Sequence, residues 1–190
     1  MEIKAVIFDI GGVLLEDPSF ASFWQGKDES KELRSLFGTG GLTKEELIVR
    51  GSRLLDLSPE EFLTEYSLAY SMMQPITHVV DIYNKINKLK YIFSDTNPVH
   101  FEFCMQKYSA IFSRAHKLFL SHEVRFRKES DSSYEYILSQ IPFKPSELIF
   151  IDNKGDYIEK ANKFGINGIL YNEQIVLEKE LLFIDPHIFD

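Results

Sequence analysis

The sequence predicts an α/β fold: a doubly wound parallel sheet with a small helical insert after the first strand. Three observations support it. Five short apolar runs punctuate the 190 residues, amphipathic helical patterns separate most of them, and the long segment after the first run carries helix signals only. Alternating strands and helices are typical of parallel sheets with right-handed crossovers. The length suits one domain that carries a smaller insert.

The apolar runs predict the strands. They occupy residues 3–8, 90–94, 117–121, 148–151 and 168–171 and are rich in Ile, Val, Leu, Phe and Tyr. Their apolar character is continuous rather than alternating, which is typical of strands buried on both faces of a parallel sheet. Between them, residues 76–86, 131–141 and 154–164 repeat apolar side chains at helical spacing. Each of these segments therefore predicts a helix with one face against the sheet.

The insert is predicted over residues 17–74, and the core over residues 1–16 and 75–190. Capping boxes begin at Thr43 and at Ser58, and Pro59 occupies a first helical position. A crossover of this length exceeds one helix, so we expect a small helical cap above the sheet. Three aromatic residues near its start are expected to pack inside it, with contact to a substrate as the alternative, namely Phe20, Phe23 and Trp24.

Composition excludes several function classes. The net charge of −8 argues against a nucleic-acid-binding groove, which needs a basic surface. No stretch of about 20 apolar residues is present, and the N-terminal run lacks the features of a signal peptide, so we expect no membrane partner. Cys104 is the one cysteine, which excludes an internal disulfide. We therefore expect a cytoplasmic protein, as a monomer or homodimer.

Polar residues follow the predicted strands at their carboxyl ends, where open α/β sheets bind ligands. They combine carboxylates, an amide, a hydroxyl and an ammonium group, which together suit a phosphate and a divalent cation. These candidate site residues are Asp9, Ser94, Asp95, Lys128, Asp152 and Asn153.

Four segments resemble, in order, the four motifs of the haloacid dehalogenase-like (HAD) hydrolases. The first is VIFDIGGVL and the second is YIFSDTNPVHFEF. The third is EVRFRKESDSSYEYIL and the fourth is LIFIDNKGDYIEKANKFGINGILY. The resemblance covers nearly the whole chain, and the predicted insert lies where the small helical (C1) cap of that family lies.

The resemblance implies a Mg²⁺-dependent phosphatase of small phosphorylated metabolites. Asp9 would attack phosphorus and form an aspartyl-phosphate. The implied catalytic residues are Asp9, Ser94 and Lys128, and the implied phosphate-binding residues are Ser94, Asp95 and Lys128. The implied Mg²⁺ ligands are Asp9, the backbone carbonyl of Gly11, Asn153 and Asp152.

Three positions depart from the family pattern. Gly11 stands where most HAD phosphatases have a second Asp that acts as general acid and base. Activity is therefore expected to favour acidic leaving groups, by about 10²–10⁴-fold. Asn153 stands at the principal metal-ligand position, so Mg²⁺ is expected to bind weakly. Glu129 follows Lys128 where the family usually has Pro.

Two alternatives stay open. Gly11, Asn153 and Glu129 together suit a HAD-fold protein that has lost turnover and binds a ligand or partner. The other alternative is a 2-haloacid dehalogenase, which uses the first Asp without the second Asp and without Mg²⁺. Dehalogenases of the family usually have an aromatic residue at the position of Gly11 and an early arginine, whereas the first arginine of this chain is Arg34.

Overall fold

A computed structural model describes residues 2–17, 23–24 and 26–190. Within these ranges five strands form one parallel sheet in the order β3-β2-β1-β4-β5. The strands are β1 (Ala5–Phe8), β2 (Leu89–Ser94), β3 (Lys117–Leu120), β4 (Leu148–Asp152) and β5 (Asn167–Leu170). The predicted doubly wound parallel sheet is confirmed, and each apolar run forms a strand.

Helices connect the strands. Among the described residues they are α1 (Glu29–Gly38), α2 (Lys44–Leu55), α3 (Pro59–Ser71), α4 (Thr77–Lys85), α5 (Pro98–Phe112), α6 (Ser121–Val124), α7 (Asp131–Gln140), α8 (Gly155–Lys163) and α9 (Leu177–Ile184). The three segments with helical periodicity correspond to α4, α7 and α8. None of the helices among these residues combines the length and apolar character needed to cross a bilayer.

Strand β1 is the central strand of the sheet, and its side chains belong to the apolar core on both faces. Val6 and Phe8 belong to one buried apolar cluster, together with side chains of α4, α5, α9 and the insert. Ala5 and Ile7 belong to a second cluster with side chains of α7 and α8. Alternate side chains of a strand point to opposite faces, so both faces of β1 are covered by helices.

The insert contains α1, α2 and α3, and both predicted capping boxes form. The Glu46 N–H donates to Thr43 Oγ1 at 3.2 Å, and the Thr43 N–H donates to Glu46 Oε2 at 2.8 Å. Ser58 and Glu61 make the same exchange at the start of α3. Trp24 and Phe23 pack on aromatic rings of α3, and Phe20 lies outside the described residues.

The two ends of the insert lie side by side. The Glu16 N–H donates to the Gln74 carbonyl at 2.9 Å, and the Ile76 N–H donates to the Leu14 carbonyl at 3.0 Å. Leu15 and Pro75 form an antiparallel bridge between these bonds. The chain therefore leaves and re-enters the core at one place, as an inserted unit requires. The division at residues 16/17 and 74/75 and the C1 type of the cap stay predictions.

Candidate active site

A cavity of about 440 Å³ lies beyond the carboxyl ends of β1 and β2. The core contributes Asp9, Gly11, Asp95 and Lys128 to its lining, and the insert contributes basic and aromatic side chains. The basic and aromatic residues of the insert in this lining are Trp24, Lys31, Arg34, Tyr66 and Tyr70. This is the position at which parallel α/β sheets bind ligands, because the order of the strands reverses beside β1.

Lys128 is the central cation of the site and is 1% exposed. Its Nζ lies 2.8 Å from Asp9 Oδ1 and donates a hydrogen bond to Asp152 Oδ2. The contact with Asp9 is an ion pair without hydrogen-bond geometry. Three aromatic rings surround the ammonium group within cation–π distance, those of Phe93, Phe150 and Tyr157.

The surroundings of Lys128 keep it charged. Burial alone would lower the pKa of its ammonium group, but the charges of Asp9 and Asp152 outweigh burial and raise the pKa. Burial and the neighbouring charge of Asp9 raise the pKa of Asp152. Lys128 is therefore a permanent cation held between two carboxylates at the floor of the cavity.

Asp95 anchors the loop that carries Lys128. Its Oδ1 accepts the Lys128 N–H at 2.9 Å. Its Oδ2 accepts the Tyr157 hydroxyl at 3.0 Å and Arg127 Nε at 3.4 Å. A carboxylate repels a phosphate, so the predicted phosphate contact of Asp95 requires its backbone N–H rather than its side chain.

Ser94 is the last residue of β2 and is 2% exposed. Among the described residues, the cavity lining includes Thr96 but not Ser94. The Thr96 side chain is already engaged, because its Oγ1 lies 2.7 Å from His100 Nδ1. The predicted contact between Ser94 and a phosphate therefore stays a prediction. It requires the phosphate to lie deeper than the cavity lining.

Oxygen atoms suited to Mg²⁺ lie at the ends of β1 and β4. Within the described part of the chain, Asp9 Oδ1 and Asn153 Oδ1 are buried and accept no hydrogen bond, but Asp9 Oδ1 also lies 2.8 Å from the Lys128 ammonium. Hard divalent cations prefer such oxygens, and the Gly11 carbonyl follows Asp9 by two residues. The residues therefore fit a Mg²⁺ ion.

Asp152 is less available to a metal than these three residues. It is buried as the last residue of β4, its Oδ2 accepts from Lys128 Nζ, and its Oδ1 accepts the Lys154 N–H at 2.9 Å. Within the described ranges no group of three or more His, Cys, Asp or Glu side chains could hold a metal. A site built from one carboxylate, one amide and one carbonyl has few charges, so its affinity is expected to be low.

Asp17 also belongs to the site, and the sequence analysis missed it. It lines the cavity, and its Oδ2 accepts Asn153 Nδ2 at 3.2 Å. The sequence analysis placed it only at the first position of the insert. A tight turn brings it back, in which the Gly12 N–H donates to the Leu15 carbonyl at 2.7 Å. The available signal was an acidic residue shortly after two adjacent glycines.

A polar and aromatic wall joins the insert to the core. Asn97 caps α5 through the His100 N–H and donates its Nδ2 to the Tyr70 hydroxyl at 2.7 Å. The rings of Tyr70 and His100 stack at 4.8 Å. Burial, with a smaller contribution from the charge of His122, lowers the pKa of His100 to about 4. His100 is therefore neutral in the folded protein at neutral pH.

The lowered pKa of His100 predicts a loss of stability in mild acid. An unfolded chain protonates His100 near pH 6.5, but the folded chain does so only near pH 4, so acid favours unfolding between these values. Between pH 7 and pH 5 the loss is about 2 kcal/mol. Chemical unfolding at both pH values measures it. His100→Phe should reduce the loss by this amount, and an unchanged loss would contradict the assignment.

Solved structures share this architecture. The HAD family enzyme bt-2542 from Bacteroides thetaiotaomicron has a TM-score of 0.81 at 19% identity, over 95% of this chain and 98% of that chain. A predicted HAD-like family hydrolase from Porphyromonas gingivalis has a TM-score of 0.80 at 17% identity, over 97% of this chain and 98% of that one. This chain has the HAD-like hydrolase fold.

The HAD-like fold also extends to a dehalogenase. L-2-haloacid dehalogenase from Xanthobacter autotrophicus has a TM-score of 0.64 at 17% identity, over 99% of this chain and 89% of that chain. Comparison with models of known protein families finds no match. One structure of the Bacteroides enzyme is a complex with magnesium and inorganic phosphate, with a TM-score of 0.76.

Proposed function

We propose that this HAD-like chain is a Mg²⁺-dependent phosphatase of small phosphorylated metabolites that acts through an aspartyl-phosphate on Asp9. The observation that carries the proposal is the buried Lys128 ammonium 2.8 Å from Asp9 Oδ1, at the floor of a cavity. A carboxylate at a strand end with a cation beside it is suited to nucleophilic attack on a phosphate. The magnesium and phosphate bound by the Bacteroides enzyme support this chemistry for the fold.

In this mechanism Asp9 and Lys128 act as a pair. The cation lies beside the attacking carboxylate and offsets the negative charge that an incoming phosphate brings to the cavity. Asp95 positions this cation, because it holds the Lys128 backbone and the neighbouring Arg127 side chain. A Mg²⁺ ion held by Asp9, Asn153 and the Gly11 carbonyl would withdraw charge from the phosphoryl oxygens.

The lining of the cavity suits a small anionic substrate. Lys31 and Arg34 approach it from α1, and Arg127 and Lys154 approach it from the core. These cations complement a phosphate, although the whole chain has a net charge of −8. A volume of about 440 Å³ is in the usual range for small-molecule sites.

A screen of phosphorylated metabolites for phosphate release, with and without Mg²⁺, tests the proposal. Aryl and acyl phosphates belong in the panel because their leaving groups need no protonation. Mg²⁺-dependent release that disappears in Asp9→Asn would support the proposal. Release that survives in Asp9→Asn would exclude the aspartyl-phosphate.

A binding protein without turnover is the second candidate function. The observation that favours it is the neutral Asn153 at the end of β4, together with the hydrogen bonds that occupy both oxygens of Asp152. Binding of phosphorylated metabolites in calorimetry, with zero release across the panel, would select this alternative. Chloride release from 2-chloropropionate would instead select dehalogenation.

The proposed ligand set predicts a weak affinity for Mg²⁺ that one substitution should raise. Wild-type protein should bind Mg²⁺ only at roughly millimolar concentration, and Asn153→Asp should tighten binding by about tenfold, because it adds a charged oxygen ligand. Isothermal titration calorimetry measures both. Asn87→Asp is the matched control, since Asn87 precedes β2 at the opposite end of the sheet. Unchanged affinity in Asn153→Asp would show that Asn153 is not a ligand.

A further inference from the structure

We propose that Asp17 is the general acid and base of this site and does the work of the carboxyl group that position 11 lacks. The inference rests on the proposed phosphatase function and names a further catalytic residue for it. It arises from where the Asp17 carboxylate lies rather than from its place in the sequence.

The carboxylate of Asp17 occupies the space of a side chain at position 11. A Cβ added to Gly11 would lie 2.5 Å from Asp17 Oδ1, closer than real Cβ contacts allow. Gly11 is not among the glycines with a positive φ, so its backbone does not itself require glycine. A side chain at position 11 would therefore require the Asp17 carboxylate to move away from this place.

Two further features hold Asp17 there. Asn153 Nδ2 donates to Asp17 Oδ2 at 3.2 Å, which fixes one oxygen and leaves Oδ1 directed toward Gly11. Gly12 has a φ of 73°, and a Cβ there would collide with Asn153 and approach Asp17 Oδ2 to 3.0 Å. The adjacent glycines therefore make room for a carboxylate that arrives from the insert. Asp17 and Asp9 line the same cavity.

The proposed proton path balances over both half-reactions. An Asp9 carboxylate oxygen attacks phosphorus, the ester P–O bond breaks, and its electron pair leaves on the ester oxygen. Asp17 gives its carboxyl proton to that oxygen, so the alcohol departs neutral. A water molecule then attacks the phosphorus of the aspartyl-phosphate and gives one proton to the Asp17 carboxylate. The P–O bond to Asp9 breaks, which releases inorganic phosphate and restores both residues.

This role changes the leaving-group expectation that followed from Gly11 alone. With Asp17 as the acid, kcat/KM of the wild-type enzyme should depend little on the leaving-group pKa, so alkyl phosphates react nearly as well as aryl phosphates. In Asp17→Asn the proton donor is lost, but the amide can keep its contact with Asn153. We then expect kcat/KM for alkyl phosphates to fall by about 10²–10⁴-fold and kcat/KM for aryl phosphates to change little.

The experiment is a series of phosphate esters assayed with three proteins: wild type, Asp17→Asn and the matched control Glu16→Gln. Glu16 is the preceding carboxylate, is exposed and lies outside the cavity lining that the structure describes. Glu16→Gln should keep the shallow wild-type dependence. Asp17→Asn should also release an aryl leaving group in a burst and accumulate aspartyl-phosphate, visible by intact mass spectrometry, because its second half-reaction lacks a base.

A double variant gives an independent test by rescue. Asp17→Ala empties the space beside Gly11, and a second substitution, Gly11→Asp, returns a carboxyl group to it. The double variant should recover alkyl-phosphate turnover relative to Asp17→Ala alone. Gly11→Asp in the wild-type background should not gain turnover, because the Asp17 carboxylate already fills the space.

The outcomes separate this inference from the proposed function. Equal loss for aryl and alkyl esters in Asp17→Asn, or no loss for either, would overturn the role of Asp17 and leave the phosphatase standing. Loss of Mg²⁺ affinity in Asp17→Asn, measured by calorimetry, would make Asp17 a metal ligand instead and also overturn it. Absence of phosphate release from every ester by wild-type protein would overturn the phosphatase and this inference together.

Discussion

Asp9→Asn is expected to abolish phosphate release, by roughly 10⁶-fold, while the protein stays folded. Asn has nearly the same shape and keeps an oxygen that can lie near the Lys128 ammonium, but an amide oxygen does not act as the attacking group. Phosphate release measures the loss. Circular dichroism and the unfolding midpoint measure whether the sheet is retained.

One result would contradict the predicted loss of phosphate release in Asp9→Asn. Wild-type turnover in Asp9→Asn would show that another residue attacks phosphorus, or that water does so directly. Intact mass spectrometry adds a direct observation, because a rapidly quenched wild-type reaction should contain the phosphorylated chain and the Asp9→Asn reaction should not. Phosphorylated Asp9→Asn protein would place the covalent bond on another residue.

Lys128→Met is expected to destabilise the folded protein by about 3–5 kcal/mol. The variant leaves the Asp9 and Asp152 carboxylates buried beside each other without their shared cation. Met fills a similar volume, so the loss reports charge more than packing. Urea unfolding of wild type and variant measures the difference in the free energy of unfolding.

Lys160→Met is the matched control for this effect. Lys160 pairs with Asp131 at the surface, where the Asp131 side chain is 66% exposed. Exposed ion pairs contribute at most about 1 kcal/mol, so this variant should be nearly as stable as wild type. Equal stability losses in the two variants would contradict the view that Lys128 holds the two carboxylates together.

The sheet could be predicted because its strands are buried on both faces. Such strands have continuous apolar runs, and all five runs form strands within one or two residues of the predicted bounds. The capping boxes at Thr43 and Ser58 were equally predictable, because both partners of each box lie within one turn of helix. Local chemistry decides these features, so a single sequence is enough to find them.

The arrangement of the site could be predicted only in part. The ends of β1 and β2 and the loop after α6 bring Asp9, Asp95 and Lys128 to the lining of one cavity. Strand order does not fix the directions of side chains. It therefore does not tell which carboxylate accepts a hydrogen bond from Lys128, or that Asp95 anchors the loop instead of facing a ligand. The position of Asp17 in the site was not predicted, because its contact with Asn153 joins residues 136 positions apart in the sequence.

The paired ends of the insert lie beside the site and would be the pivot of any movement of the insert. Leu15 and Pro75 form a bridge between the two segments that connect the insert to the core, and Asp17 follows Leu15 by two residues. A rigid rotation displaces atoms in proportion to their distance from the axis. Any swing of the insert would therefore carry Lys31 and Arg34 much further than Asp17. The proton donor would keep its alignment with Asp9, while the basic side chains could follow metabolites of different length.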